Sequence, residues 1–172
     1  MNRFKYLKNI TEVNNFIGMD IFFKSIEYIK NSDSLKFSPI NDMMDLFYIS
    51  LLIGLKKNKK IDSNQARYQT SDMTHVWTES LSNSKDLVIA LYMTNILELN
   101  KKDYNDKKKV QELLNQKLGN DKIRAISDEG MVEIHNYAFG GYIELLEMFN
   151  NKEPDDLFVF FERVKVVLQE AT

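Results

Sequence analysis

Apolar residues recur at helical spacing along nearly the whole chain, and no stretch between turn signals sustains the alternation of a half-buried strand. The pattern predicts an all-α fold. Val13, Phe16, Ile17, Ile21, Phe23, Ile26 and Ile29 mark a first helix over residues 11–30, closed by the turn-forming run Asn31-Ser32-Asp33-Ser34. Ser38-Pro39 reads as the start of a second helix running to about Leu55. A serine hydroxyl can cap free backbone N–H groups, and proline in the first turn needs no donor. The middle of that helix, Leu46 to Ile53, is apolar almost all round, which in a water-exposed fold implies a helix surrounded by others. A comparable run, Leu87 to Met93, lies in a helix predicted over residues 84–100, and these two helices are expected to form the core pair.

Between them, a short amphipathic segment spans Met73 to Leu81. It follows a polar stretch, Lys56 to Asp72, long enough to be marked as a functional or disordered loop. Val110, Leu113, Leu114 and Leu118 predict a fifth helix stopped by a left-handed Gly119-Asn120. Ser127 is placed to cap a helix through Asn150 with Ile134, Tyr137, Ala138, Gly141, Leu145 and Met148 inward. Pro154-Asp155-Asp156 opens a last helix, its acids at the positive end of the dipole and Leu157, Phe160, Phe161, Val164 and Val167 on one face. The expected architecture is a compact bundle of about six to seven helices, with two central helices nearly fully apolar, in one domain over residues 1–172. No repeat, low-complexity tract or linker divides the chain.

Composition sets the class. With 44% apolar residues, 28% charged residues and only two prolines, the chain can bury a core. The absence of cysteine removes disulfides, thiolate catalysis and thiolate metal sites together. Met1 to Lys8 is charged and lacks a secretory pattern, and the longest apolar runs, Met43 to Leu55 and Leu87 to Leu99, fall short of the roughly 20 residues that span a bilayer. A cytoplasmic protein without membrane contact is expected. The net charge of −2 is unevenly spread: residues 126–172 hold ten acids against Lys152, Arg163 and Lys165, a net of −7, which leaves +5 on residues 1–125.

Candidate chemistry is sparse. His75 and His135 are the two histidines, and nothing around either supplies the ligand spacing of a zinc or iron site, so no metal is expected. The six glycines are dispersed, with no phosphate loop, dinucleotide fingerprint or nucleophile elbow. The expectation is therefore no enzyme, no cofactor and no catalytic residue. Lys56, Lys57, Lys59 and Lys60, with Arg67, form the densest basic patch and are candidates for phosphate contact; the alternative is that they serve a helix C-terminus and solubility. Lys101, Lys102, Lys107, Lys108 and Lys109 form a second patch. Gly140-Gly141 inside a helix costs about 1 kcal/mol per glycine relative to alanine, which calls for a close helix contact or a ligand surface. Gly140, Gly141, Glu144, Glu147, Asp155 and Asp156 are the candidate partner-binding residues.

Two patches carry a resemblance: Met44-Asp45-Leu46-Phe47 continuing to Gly54 and Lys56 to Lys60, and Tyr137-Ala138-Phe139-Gly140-Gly141 continuing to Leu145-Leu146. In these the chain resembles small accessory proteins of bacterial DNA phosphorothioation and related anti-phage defence systems. Met44 stands where the pattern would have lysine. The resemblance implies a non-catalytic accessory subunit that contacts a larger ATPase or nuclease of the same system and reaches DNA through that complex. An autonomous nucleic-acid-binding protein and a small immunity or antitoxin protein are the alternatives.

Overall fold

The computed structural model describes residues 3–8, 16–32, 40–62, 69–73, 84–99, 106–119 and 125–169. Six helices lie among them: α1 (Met19–Ser32), α2 (Met43–Lys56), α3 (Lys85–Leu99), α4 (Lys107–Lys117), α5 (Asp128–Met148) and α6 (Leu157–Gln169). Two four-residue strands, β1 (Lys5–Lys8) and β2 (Gln69–Asp72), pair antiparallel with Lys5 opposite Asp72 and Leu7 opposite Thr70. The fold is predominantly helical, as the periodicity predicts. The ribbon was not foreseen, because four residues are too few to display an alternation and β2 reads Gln-Thr-Ser-Asp, with no apolar side chain.

The helix starts differ from the expected ones in instructive ways. Residues 16–18 lie outside α1, which begins at Met19 and buries Met19, Phe22, Ile26 and Ile29. α2 starts at Asp42, whose carboxylate accepts from Met44 N (2.8 Å) and Asp45 N (3.0 Å). Asp45 reciprocates, its Oδ2 accepting from Asp42 N (3.1 Å) and Asn41 N (2.7 Å). That capping box satisfies the orphan donors expected of Ser38-Pro39; Ser38 and Pro39 lie outside the described residues, as does the segment predicted over residues 73–81 apart from Met73. At its other end α2 closes with Lys59 N donating to Gly54 O (2.9 Å) and Asn58 N to Leu55 O (3.2 Å), Asn58 standing at φ 48°. This pair of bonds is a Schellman stop, with asparagine in the left-handed position.

The expected pair of central helices is present with one member exchanged. α2 packs along α5, and α5 buries residues on nearly every side, among them Ile134, His135, Tyr137, Phe139, Tyr142 and Leu146. α3 flanks this pair, burying Val88, Tyr92, Met93 and Ile96 while Leu87 and Leu91 face outward. Glycine explains the exchange. A Cβ on Gly54 would lie 1.9 Å from Tyr137 O, and one on Gly141 would lie 1.8 Å from Ser50 O, so the two backbones touch where both side chains are missing. α4 buries no residue, and its end is not the expected left-handed glycine: Leu118 is extended and Gly119 keeps φ outside that region. Ser127 caps α5 as predicted, its Oγ accepting from Gly130 N (3.0 Å) and donating to Gln116 O (2.5 Å). Asp156 does the same for α6, accepting from Val159 N (2.8 Å). The buried apolar residues form one continuous cluster.

Candidate functional site

The Schellman stop turns residues 57–62 back along α5, and the turn fixes where the lysines go. Lys59 Nζ meets Glu144 Oε1 at 2.8 Å, and Lys60 Nζ meets Glu133 Oε1 at 2.5 Å while standing 4.4 Å over the Tyr137 ring. Ile61 anchors the return by burying its side chain and donating its N–H to Asn136 O (2.9 Å). Two of the candidate phosphate ligands are therefore already paired with acids of the same chain, one of which, Glu144, was itself a candidate partner contact. Lys56 is half-buried and Lys57 exposed; Arg67 lies outside the described residues.

Glu133 is the centre of this region. Its carboxylate accepts from Lys60 and from Tyr92 Oη (2.9 Å) and faces Lys117 Nζ at 3.2 Å, while Lys117 also reaches Glu129 at 2.8 Å. Burial pushes the Glu133 carboxyl up, but the hydrogen bonds from Lys60 and Tyr92 and the two ammonium charges outweigh it and hold the group below its usual range. Burial, followed by the Glu133 charge, drives the Tyr92 phenol far up, so it remains a donor. A carboxylate occupied on both oxygens acts as a clamp, fastening the returning loop, α3 and α4 to α5. Sequence reasoning missed this group, since Tyr92, Lys117 and Glu133 are far apart in the chain and individually ordinary.

His135 sits in the core. Buried between Phe4, Phe47 and Phe139, it stacks on Phe139 with ring centroids 5.9 Å apart, and its Nε2 accepts the Lys5 backbone N–H at 3.2 Å, pinning β1 to the core. Burial, reinforced by the Lys5 charge and countered by Asp72, lowers its pKa to about 4. His75 lies outside the described residues. Among the described residues no group of three or more His, Asp or Glu side chains is arranged to hold a metal ion.

Gly140 and Gly141 belong to internal packing. A Cβ on Gly140 would meet Lys59 O at 2.2 Å, and that on Gly141 would meet α2, so neither faces outward. Residues 44–60 and 137–146 are thus two sides of one contact: Asp45 caps α2, Phe47 packs on Phe4 and His135, and Gly54 meets the Tyr137 to Gly141 segment. Glu147, Asp155 and Asp156 are exposed.

A feature beside the last two acids went unread. α6 is apolar on two sides: Leu157, Phe160, Val164 and Val167 face the core, while Phe158 (73% exposed), Val159 and Val166 (55%) face out. A groove of about 480 Å³ runs along this outer face, lined by Met148, Phe158, Glu162, Arg163 and Val166 among others. Arg163 is held at its edge by donating to Met148 O and lying 4.7 Å over the Phe149 ring. Among the described residues no helix is long and apolar enough to cross a membrane. No family model, no curated protein and no solved structure matches the chain.

Proposed function

We propose that the protein is a non-catalytic subunit of a bacterial anti-phage DNA-defence complex, docking onto a larger ATPase or nuclease through the outer face of α6. The observation that carries this reading is the second apolar side of α6, where Phe158, Val159 and Val166 stand in water within a sector of about 100° at the helical repeat. Large apolar side chains gathered on one exposed helix face mark an interaction surface more often than isolated ones do. Asp155 and Asp156 lie just before that face, Glu162 sits within it paired with Lys165 at 3.4 Å, and the C-terminal segment is the acidic part of the chain, which favours a partner surface that is apolar and rimmed by basic residues. The resemblance in residues 44–60 and 137–146 supplies the defence context. DNA is reached through the complex, since Lys59 and Lys60 are paired internally.

The test is co-purification with the products of neighbouring genes. The native chain is expected to bring down a larger subunit and Phe158→Asp to lose it, with the circular dichroism of the variant unchanged. A chain that brings down none of them, or a Phe158→Asp variant that still does, would sink the proposal.

A further inference from the structure

The outer face of α6 is too small to be the whole of a stable interface. Such an interface buries about 800 Å² on each partner, and one side of a 13-residue helix, about 20 Å long and 10 Å across, supplies only part of that. The docking surface therefore continues onto a neighbour of α6, and two neighbouring regions offer grooves. Toward the C-terminal end of α6, a groove of about 460 Å³ opens against α2 and α3, with Leu91 and Leu168 in its lining and Lys56 and Glu98 on its rim. Toward the N-terminal end, a groove of about 490 Å³ lies between α1 and the turn that joins α5 to α6, with Ile21, Ser25 and Tyr28 on one wall and Glu153, Pro154 and Asp155 on the other.

Two observations favour the groove on α1. The first is aromatic: Tyr28 and Phe158, each 73% exposed, are the most exposed large apolar side chains among the described residues, and aromatic side chains are enriched in interfaces. Tyr28 lines the α1 groove and Phe158 the α6 groove. Asp155 and Phe158, one from each lining, are three residues apart, so their backbones stand within about 11 Å. The second is charge. Over residues 20–30 the charges cancel, Asp20 and Glu27 against Lys24 and Lys30, whereas residues 152–156 hold Glu153, Asp155 and Asp156 against Lys152 alone. The excess negative charge thus stands between these two grooves, while Lys56 and Glu98 leave no excess on the rim of the third. The surface is also fixed before a partner arrives. Phe22 of α1 packs on Phe149 and Phe160 with ring centroids 6.0 and 6.1 Å away, the Ser25 hydroxyl donates to Glu153, and Asn151 N holds the turn by donating to Leu146 O at 2.8 Å. Preorganisation of this kind lowers the ordering cost of association. Given the docking on α6 proposed above, we infer that the larger subunit spans both grooves, setting one large apolar side chain beside Phe158 and a second beside Tyr28, with a lysine or arginine between them over Asp155.

The larger subunit recovered with the chain would be purified and its affinity for the full-length chain measured by surface plasmon resonance. Tyr28→Asp, at an exposed position, should weaken binding about tenfold with circular dichroism unchanged, the scale of a hot-spot residue. Asp155→Lys should also weaken it and flatten its decline with added salt, because a rim charge acts through attraction that salt screens. Leu91→Asp, in the groove against α2 and α3, should bind as the native chain does. Native affinity in Tyr28→Asp, unchanged or tighter binding in Asp155→Lys, or loss of binding in Leu91→Asp overturns the two-groove arrangement and leaves docking on α6 standing. Native affinity in Phe158→Asp, or recovery of no larger subunit at all, ends the docking on α6 and the two-groove arrangement with it.

Discussion

α5 and α6 are neighbours in sequence and opposites in how far their surfaces are matched. Around α5 each demanding group has its counterpart within the chain: Gly141 has the α2 backbone, Glu133 and Glu144 have lysines, and His135 has a strand amide. On the outer face of α6, Phe158 and Val166 have water. The difference separates two kinds of consequence. Changes near α5 are expected to act on folding; changes on the outer face of α6 are expected to leave folding alone and, under the proposed docking, to act on association.

The hardest blow to the matched side is a methyl group. Gly141→Ala puts a Cβ 1.8 Å from a backbone oxygen, and Gly54→Ala puts one 1.9 Å from another, where no flexible side chain can give way. Each is expected to cost more than about 4 kcal/mol and to leave little soluble protein, read by denaturant unfolding of whatever folds. If either alanine is tolerated, the helices do not touch as described.

Next comes acid. The His135 imidazole has a folded pKa of about 4 against an ordinary 6.5, so the unfolded chain binds its proton first. Stability contributed by the neutral ring is complete above pH 6.5 and is lost as pH falls toward 4, by up to about 3 kcal/mol. Urea midpoints of the native chain and of His135→Phe, compared from pH 7 to 4, should converge as this component disappears. Parallel curves would show that the imidazole is not the group responsible.

A smaller effect sharpens the contrast. Glu133→Gln with Glu144→Gln releases Lys59 and Lys60, and is expected to lower stability by less than loss of the His135 component, since these pairs are partly exposed. The same variant should bind heparin where the native chain does not, with affinity falling steeply as salt rises. Native binding of equal strength would mean that the acids do not restrain the lysines. Smallest of all, Phe158→Asp should shift stability by no more than about 0.5 kcal/mol while removing the partner; a large loss of stability would place Phe158 in the core.

Helix content, the Ser127 cap, the Asp156 start of α6 and the inward stripes of α5 and α6 were legible because each rests on residues a few positions apart. The pairing of α2 was not. Leu87 to Met93 is as apolar as the helix it was expected to join, yet α5, with polar residues among its apolar ones, takes the central place because Gly54 and Gly141 let two backbones meet. Periodicity weighs side chains, and here the deciding feature is their absence. The lysine loop was legible only in part for a related reason: a run of like charge is plain in sequence, while the acids that pair with Lys59 and Lys60, Glu144 and Glu133, come from a helix more than 70 residues away. The outer face of α6 was not legible, since the stripe of Leu157, Phe160, Val164 and Val167 already accounts for an amphipathic helix and Phe158, Val159 and Val166 read as scattered surface residues.

The meeting of α2 and α5 also sets a clock. Where two helices touch with nothing between them, water reaches the amide hydrogens only when the chain opens as a whole, whereas surface helices exchange through local fraying. Amides of residues 50–54 and 137–141 should therefore exchange with deuterium last, at the rate of global unfolding. The lag between them and the amides of α6 would measure how freely that helix lifts away from a core that stays shut.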